Sequence, residues 1–305
     1  MTHRQRRPLP CTLLGAILLP ACTGDPGIGT TASTFIAAAH DLGAPRATGG
    51  SYPVDEPAAA WAAAELLVPV TAWDFPASSI PLFVWDDVAM AINIADDGTC
   101  PYSLTDSDGA STTQSWESDC RSQDGYEWLG GVSRTTWSDP DADGVSWTLW
   151  SMDLDIEAGI DDPTFDSLSL HGLLWFGLGG SDPLIRVAQV NMAVSLSGYW
   201  SRQGGDTTRE GVWQDLRLSG TWEEQETGVA DVHRFAGTAT LGEQGGLAFD
   251  GPEVQEADHC AAEPTGAVEL NGITNATLTF DGDTTCDRCA TLEVEGSAGQ
   301  ASCGS

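Results

Sequence analysis

Apolar and polar residues alternate along most of the chain from residue 96 onward, and this pattern constrains the fold more than any other feature. Within residues 166–178, Leu168, Leu170 and Leu174 share one parity, and polar residues occupy much of the other. The same alternation is seen in residues 190–200, 216–222, 276–280 and 290–296. Because successive side chains of a strand point to opposite faces, the pattern predicts strands with one buried face.

Six Asp-Gly pairs punctuate this region, beginning at residues 97, 108, 124, 143, 250 and 281. Asp-Gly favours tight hairpin turns, because glycine and aspartate tolerate the positive φ angles that such turns need. No helical segment of the kind that a parallel sheet requires lies between the candidate strands. The sequence therefore predicts a mainly β fold, an antiparallel meander or sandwich of about ten or more strands with disulfides.

Residues 145–156 break the alternation once. Val145, Trp147 and Leu149 share one parity, whereas Trp150 and Met152 begin an apolar series of the other parity. This change of phase predicts a β-bulge between Leu149 and Trp150.

Composition divides the chain into five segments. Residues 1–21 are predicted to be a signal peptide, and residues 22–56, rich in Gly, Thr, Ala and Pro, a flexible tether. Residues 57–95 are predicted to form a short helical segment, with Pro57 in the first turn of an alanine-rich helix. Residues 96–255 form the predicted antiparallel β domain, and residues 256–305 a cysteine-rich β segment packed on the same domain.

The N-terminal residues have the pattern of an export signal. Arg4, Arg6 and Arg7 precede an apolar run over residues 11–19, which is far shorter than the roughly 20 residues of a membrane-spanning helix. The following residues, 19–22, read Leu-Pro-Ala-Cys and resemble the lipobox of bacterial lipoproteins. That resemblance implies cleavage before Cys22 and acylation of its side chain and new N-terminus.

The lipobox resemblance also implies a cellular location. Several acyl chains on one cysteine anchor a protein stably without a membrane span. The mature chain is then expected outside the cytoplasm, held in the cell envelope with the membrane as its partner. Thr23 follows the acylated position where an inner-membrane retention signal would have Asp, which favours the outer membrane.

Six cysteines remain besides Cys11 and Cys22. They are Cys100, Cys120, Cys260, Cys286, Cys289 and Cys303. An even number in an exported chain predicts disulfides. We expect Cys100 to pair with Cys120, whereas the four C-terminal cysteines allow three pairings, of which Cys260–Cys303 with Cys286–Cys289 is one natural option. A metal site and a redox-active pair at Cys286 and Cys289 are the alternatives.

The charge of the chain excludes one class of partner. After removal of the signal, nine arginines and no lysine stand against 45 acidic residues, a formal net charge of −36. Nucleic acid is therefore not expected as a partner, since phosphate binding needs cationic side chains. The acidity keeps a surface solvated, and a GC-rich genome that favours arginine over lysine or a saline habitat explains it. The alternative is that the carboxylates gather divalent cations.

One acidic segment resembles a cation-binding loop. Asp139, Asp141 and Asp143 alternate and are followed by Gly144, as in the first half of a calcium loop. An EF-hand would need Glu at the twelfth position, where this chain has Trp150. One interpretation of this pattern is an acidic hairpin turn in an acidic chain. The other is a calcium site of a different loop type, with a further ligand from Asp153, Asp155 or elsewhere. No other cofactor is expected.

Two tryptophans do not share the odd or even numbering of the apolar residues in their predicted strands, and are therefore expected on the outward face. Trp175 alternates with Leu174 and Phe176, and Trp213 shares its parity with Asp215 and Arg217. Outward tryptophans beside acids favour stacking on sugar rings, so Trp175 and Trp213 are candidate ligand-binding residues. The alternative is that another layer or a loop covers them.

Catalytic motifs contribute little. The chain has no G-x-S-x-G, no H-E-x-x-H, no P-loop and no dinucleotide fingerprint, and no catalytic residue is predicted. Residues 100–131 are similar to Cys-Pro…Cys…Asp-Gly hairpins of uncharacterised exported proteins of GC-rich bacteria, a resemblance that implies no activity. We therefore expect a non-catalytic binding or structural surface protein, with glycans or envelope proteins as partners. A carbohydrate-active hydrolase, which needs only two carboxylates, and a calcium-dependent adhesin are the alternatives.

Overall fold

The structure is a computed structural model. It describes residues 50–68, 82–117, 119–141, 144–161, 163–179, 184–201, 208–210, 213–226, 231–257, 260–282 and 289–303. The predicted signal peptide, Cys22, the tether up to residue 49, Asp143 and Cys286 lie outside these residues, as does the pairing of Cys260.

In the described part of the chain, two helices precede the strands, and both lie within the predicted helical segment 57–95. Helix α1 spans Pro57–Leu67 and helix α2 spans Leu82–Ala95. Pro57 stands at the start of α1, where its missing N–H costs no helical hydrogen bond. Both helices bury apolar side chains, including Leu67 of α1 and Val88 of α2. Neither helix, nor any other in the described ranges, has the length and apolarity needed to cross a membrane.

The rest of the described chain is almost entirely strand, which confirms the predicted mainly β fold. The strands are β1 Tyr102–Ser107, β2 Ser111–Glu117, β3 Cys120–Arg121, β4 Tyr126–Trp137, β5 Val145–Ala158, β6 Ser167–Gly179, β7 Leu184–Ser197, β8 Tyr199–Ser201, β9 Thr208–Glu210, β10 Trp213–Glu226, β11 Asp231–Leu241, β12 Gly246–Ala257, β13 Cys260–Asn271, β14 Asn275–Asp281, β15 Cys289–Val294 and β16 Gln300–Cys303. Between β11 and β12, Gly242–Gln244 form one 3₁₀ turn.

Fourteen of these strands form one antiparallel sheet in meander order. The order is β1-β2-β4-β5-β6-β7-β10-β11-β12-β13-β14-β15-β16, with β3 paired to β4, while β8 and β9 form a separate two-stranded ladder. Neighbours in the chain are thus neighbours in the sheet, as short hairpin connections dictate. Of the two predicted arrangements, the described strands adopt the meander.

One face of the sheet, here called the inner face, packs on the two helices. Alternate residues of the central strands, such as Leu154, Leu170, Val194 and Leu218, form a continuous core with α1 and α2. The C-terminal carbonyls of a helix lack helical partners, and two indoles of the inner face supply donors. Trp222 Nε1 donates to Leu67 O at 2.9 Å, and Trp128 Nε1 donates to Ala95 O at 3.1 Å.

The predicted bulge between Leu149 and Trp150 is wrong. Strand β5 pairs without interruption on both sides, with Leu149 opposite Trp175 and Trp150 opposite Leu174 on β6. The change of phase has another cause, since both faces of β5 are apolar at this end. Trp147 and Leu149 lie on the opposite, outer face in a small second cluster, and Trp150 starts the inner series.

The Asp-Gly pairs have two uses. Those at 108 and 124 lie in hairpin connections, as predicted, whereas the pair at 97 lies in the connection from α2 to β1. The pair at 250 lies instead within β12, beside a register shift against β13. Gly251 is opposite Phe235, and a Cβ at residue 251 would come within 2.3 Å of the Phe235 ring. Here glycine makes room for an aromatic ring rather than for a turn.

Among the described residues, two disulfides cross-link the sheet. Cys100–Cys120 is confirmed, and it links the start of β1 to β3. Cys289 bonds Cys303, at directly opposite positions of β15 and β16. The option that paired Cys260 with Cys303 and Cys286 with Cys289 is therefore wrong. Sequence spacing favours near neighbours, whereas hairpin register decides which sulfurs meet.

Candidate functional site

The structure describes part of the predicted calcium loop, residues 139–141 and 144, between β4 and β5. Asp141 accepts a hydrogen bond from Val145 N at 2.9 Å through Oδ1 and from Trp147 Nε1 at 2.8 Å through Oδ2. Both carboxylate oxygens of Asp141 are thus bound to the first residues of β5, while Asp139 is exposed. No cluster of three or more His, Cys, Asp or Glu suited to a metal occurs among the described residues, which omit Asp143. Calcium binding stays a prediction.

Trp175 lies on the outer face, as its parity predicts, but other tryptophans cover it. Its ring stacks on Trp137 with centroids 5.5 Å apart and an interplanar angle of 20°. Trp147 packs in the same outer cluster, and Trp175 is only 8% exposed. The alternative that its ring is covered is the one the structure adopts, because three strands bring three indoles together.

Trp213 faces inward, so the outward orientation predicted for it is wrong. A register irregularity separates Trp213 from Leu216 on β10, and Asp215 within it has a left-handed φ of 49°. The irregularity changes the phase, so that Trp213 packs against the core. Its Nε1 donates to Asp87 Oδ2 of α2 at 3.0 Å. Ligand binding by Trp175 and Trp213 remains untested.

A row of charged side chains crosses the inner face near one end of the sheet. Arg186 on β7 is directly opposite Glu224 on β10, and Glu224 is directly opposite His233 on β11. We call these three residues the interior charged row. Arg186 Nη1 donates a hydrogen bond to Glu224 Oε1. The row lies one inner position beyond Trp222, on the side of the sheet that also buries α1.

Burial separates the interior charged row from the acidic surface. Glu224 and His233 are each 1% exposed, whereas the Arg186 side chain is 21% exposed. Solvent therefore reaches the interior charged row at Arg186. Glu224 Oε2 is buried and has no hydrogen-bond partner among the described residues. A buried acceptor without a donor is costly and marks a position for a ligand or an ordered water.

The environment of Glu224 disfavours its ionised form. Burial raises the pKa of Glu224, and the nearby charge of Asp231 raises it further. Arg186 and His233 oppose this effect by attraction, without cancelling it. A buried acid whose pKa is raised by desolvation and set by specific charged neighbours is a recognised sign of a functional position.

A weak sequence signal for the interior charged row existed. Arg186 has the parity of the buried Ala188 and Val190, and Glu224 has the parity of Leu218 and Trp222. Charged residues at core positions of a strand are rare unless paired or functional. The sequence does not show that the two positions are neighbours, because residues 38 apart meet only through the strand register.

A second polar group lies on the outer face, which we call the His171 group. His171 Nδ1 lies 2.8 Å from Asp153 Oδ1, and His171 Nε2 lies 2.8 Å from Ser169 Oγ. Asp155 Oδ1 also approaches Nε2, at 3.3 Å. The β5–β6 register causes this arrangement, since Asp153 is opposite His171 and Asp155 is opposite Ser169. A hydroxyl, an imidazole and a carboxylate are thereby aligned in the order used for nucleophilic catalysis.

Comparison with known proteins adds no family to this description. The chain matches no protein-family model, and neither the curated proteins nor the solved structures include one significantly similar to it. The site assignments therefore depend on the geometry of this chain alone.

Proposed function

We propose that this chain is an exported, lipid-anchored protein of the cell envelope that acts by binding. The unpartnered Glu224 Oε2 carries the binding part of the proposal, because it is a buried acceptor within a charged row open to solvent at Arg186. The Leu-Pro-Ala-Cys sequence at residues 19–22 supports the anchored part.

The charges of the site define the class of ligand. Arg186 donates to one oxygen of Glu224, which leaves Oε2 as a buried acceptor without a donor among the described residues, and the charge of Asp231 adds negative potential beside it. A ligand that carries a positive charge and an N–H donor satisfies both requirements, because charge-assisted hydrogen bonds are the stronger ones. We infer a small cationic amine that enters beside Arg186.

A thermal-shift experiment on the full chain tests this ligand class. Methylammonium has the required charge and donors, and tetramethylammonium has the charge alone. We expect methylammonium to raise the melting temperature of the wild-type protein, since a ligand that binds only the folded state stabilises it. Equal shifts with the two cations would show only general screening of an acidic surface.

Matched variants locate the effect. Glu224→Gln keeps the shape of the side chain and removes its charge, so the methylammonium shift should disappear. Glu223→Gln makes the same change on the neighbouring outer-face residue, which pairs with Arg234 at 3.4 Å, and should leave the shift intact. Loss of the shift in both variants, or in neither, would contradict the proposed site.

The anchored part has its own measurement. The intact mass of the protein from the membrane fraction should equal that of the chain from Cys22 plus diacylglycerol and acyl groups. Cys22→Ser should abolish the added mass and release the protein from the membrane. An unmodified mass would overturn the lipid anchor and leave the interior charged row untouched.

The His171 group favours a second candidate function, hydrolysis of an ester. His171 Nε2 is placed to take the proton of Ser169 Oγ as that oxygen attacks the ester carbonyl carbon, with Asp153 orienting the imidazole. The bond to the alcohol then breaks, and the imidazolium gives its proton to the departing alcohol. Water hydrolyses the acyl-Ser169 ester, which releases the acid and restores the hydroxyl. A fluorophosphonate probe would then label the full chain at Ser169, and Ser169→Ala would abolish labelling. Ser167→Ala, two residues earlier on the same face of β6, is the control. Absence of labelling would remove this candidate.

The carbohydrate-active hydrolase and the calcium-dependent adhesin stay predictions from the sequence.

A further inference from the structure

The two edge strands of the sheet, β1 and β16, differ in how far other parts of the chain cover them. At the β16 edge, Ser302 Oγ donates to Pro57 O at 2.6 Å, and Gln300 Nε2 donates to Asp55 O at 3.5 Å, so the start of α1 covers that edge. At the opposite edge, all six residues of β1 are exposed. An exposed edge strand is a template for pairing with another strand, and proteins usually protect it.

The backbone groups that face outward from β1 are fixed by the hairpin. Asp108 N donates to Ser111 O at 3.3 Å, and Ser138 N donates to Ala110 O at 2.9 Å. Because hydrogen-bonded pairs alternate along antiparallel strands, the even residues of β1 bond to β2. The N–H and C=O groups of Ser103 and Thr105 then point away from the sheet, toward solvent.

The side chains of β1 leave this edge apolar. Tyr102 and Leu104 are 48% and 52% exposed, and both lie on the outer face. Strand β1 contains no lysine and no proline, two residues that commonly discourage edge pairing. Asp106 is its single charge.

We propose that β1 pairs with β1 of a second copy of this chain, antiparallel, about a two-fold axis at Leu104. Such an axis, perpendicular to the sheet, keeps inner residues opposite inner residues and makes the two sheets continuous. Ser103 is then opposite Thr105, so their outward groups exchange hydrogen bonds twice across the axis. Leu104 is opposite Leu104, and Tyr102 is opposite Asp106.

The charge pattern favours this register. An axis at Asp106 would place two carboxylates directly opposite each other, which is destabilising. The axis at Leu104 separates them and joins the exposed apolar side chains of the two copies. A symmetric pairing of this kind closes on itself and uses both open edges, so it ends at a dimer.

Cross-linking in membranes that carry the full chain tests the register. Residue 104 would be a non-hydrogen-bonded pair, where Cα atoms are about 4.5 Å apart and a disulfide can form. Under mild oxidation, Leu104→Cys should give a reducible dimer on gels. Ile273→Cys, at a 63% exposed position in the turn between β13 and β14, should remain monomeric. Equal cross-linking of both variants, or of neither, would overturn the proposal.

A second pair of variants tests the interface without introducing thiols. In sedimentation equilibrium of the detergent-solubilised full chain, Leu104→Asp should weaken the dimer at least about tenfold, because two carboxylates would meet on the axis. Ile273→Asp adds the same charge elsewhere and should leave the dimer unchanged. Thr105→Pro removes an N–H that β2 does not use, so the fold should survive, as judged by circular dichroism, while the dimer is lost. Dimers that persist in Leu104→Asp and Thr105→Pro would also overturn the proposal.

Discussion

The indole nitrogen of Trp222 lies 2.9 Å from the carbonyl oxygen of Leu67, a residue 155 positions earlier in the chain. Leu67 is the last residue of α1, so its carbonyl lacks a helical donor. Both residues are buried. One strand side chain thus terminates the helix and fixes it against the middle of the sheet.

Trp222→Phe should test this contact. The phenyl ring keeps most of the apolar area, but a buried carbonyl is left without its donor, which costs about 1–3 kcal/mol. We expect a decrease of that size in the free energy of unfolding, measured by urea denaturation with far-ultraviolet circular dichroism. A decrease below about 0.5 kcal/mol would show that water replaces the indole at Leu67 O.

The raised pKa of Glu224 predicts a pH dependence. The folded state retains the proton of Glu224 to higher pH than the unfolded state, so ionisation of this group opposes folding. Its contribution is most favourable below the unfolded pKa and is lost as pH rises through the raised folded pKa. Relative to the wild type, Glu224→Gln should therefore lose less stability as pH rises from about 4 toward neutrality.

Unfolding free energies measured at several pH values check this prediction. Glu223→Gln, on the outer face, should keep the wild-type pH profile. Parallel profiles for the wild type and Glu224→Gln would show that Glu224 does not titrate with a raised pKa.

Asp97 predicts the opposite behaviour at low pH. Its carboxylate accepts hydrogen bonds from the backbone N–H of Gln123 and from Thr99 and Cys100, which hold its pKa well below the ordinary range. The stability that it contributes is present above the unfolded pKa of about 4 and is lost as pH falls through the lowered one. Asp97→Asn should lower the melting temperature at pH 7, and this deficit should shrink below pH 3.

The exposed turn at residue 124 offers a control for Asp97. Asp124→Asn removes one negative charge from a neighbouring Asp-Gly turn and should change the melting temperature little. If the two variants have equal effects, the result reflects net charge rather than the hydrogen bonds of Asp97.

The Cys100–Cys120 disulfide closes a loop with a sequence separation of 20 residues. In the chain-entropy model, a cross-link of this length stabilises the folded state by about 3 kcal/mol. Replacing both cysteines by alanine should lower the free energy of unfolding by about that amount. A loss under about 1 kcal/mol would indicate that the unfolded chain keeps residues 100 and 120 close without the bond.

Much of the architecture follows from local pattern. Alternation in Leu168, Leu170 and Leu174 predicts buried strand faces, and Asp-Gly at 108 and 124 predicts the turns that make a meander. Pro57 and the alanines after it predict a helix. These signals are local because side-chain direction and turn geometry depend on a few successive φ and ψ angles.

The candidate site could not be predicted in the same way. The sequence placed Trp213 outward and a bulge at Leu149, because parity counting assumes one buried face and an unbroken phase. The left-handed backbone of Asp215 changes the phase of β10 and turns Trp213 inward. An apolar cluster on the outer face accounts for the change of phase at Leu149 without a bulge. Both causes involve neighbours on other strands.

By itself, the sequence determined the fold class, the net negative charge and the hairpin turns at 108 and 124. Only the tertiary structure decided that Cys289 meets Cys303, that Arg186, Glu224 and His233 form one row, and that the edge at β1 is left bare. The physical reason is register. Strand alternation fixes the face on which a side chain lies, but hydrogen-bonded pairing across the sheet fixes which distant side chains become its neighbours.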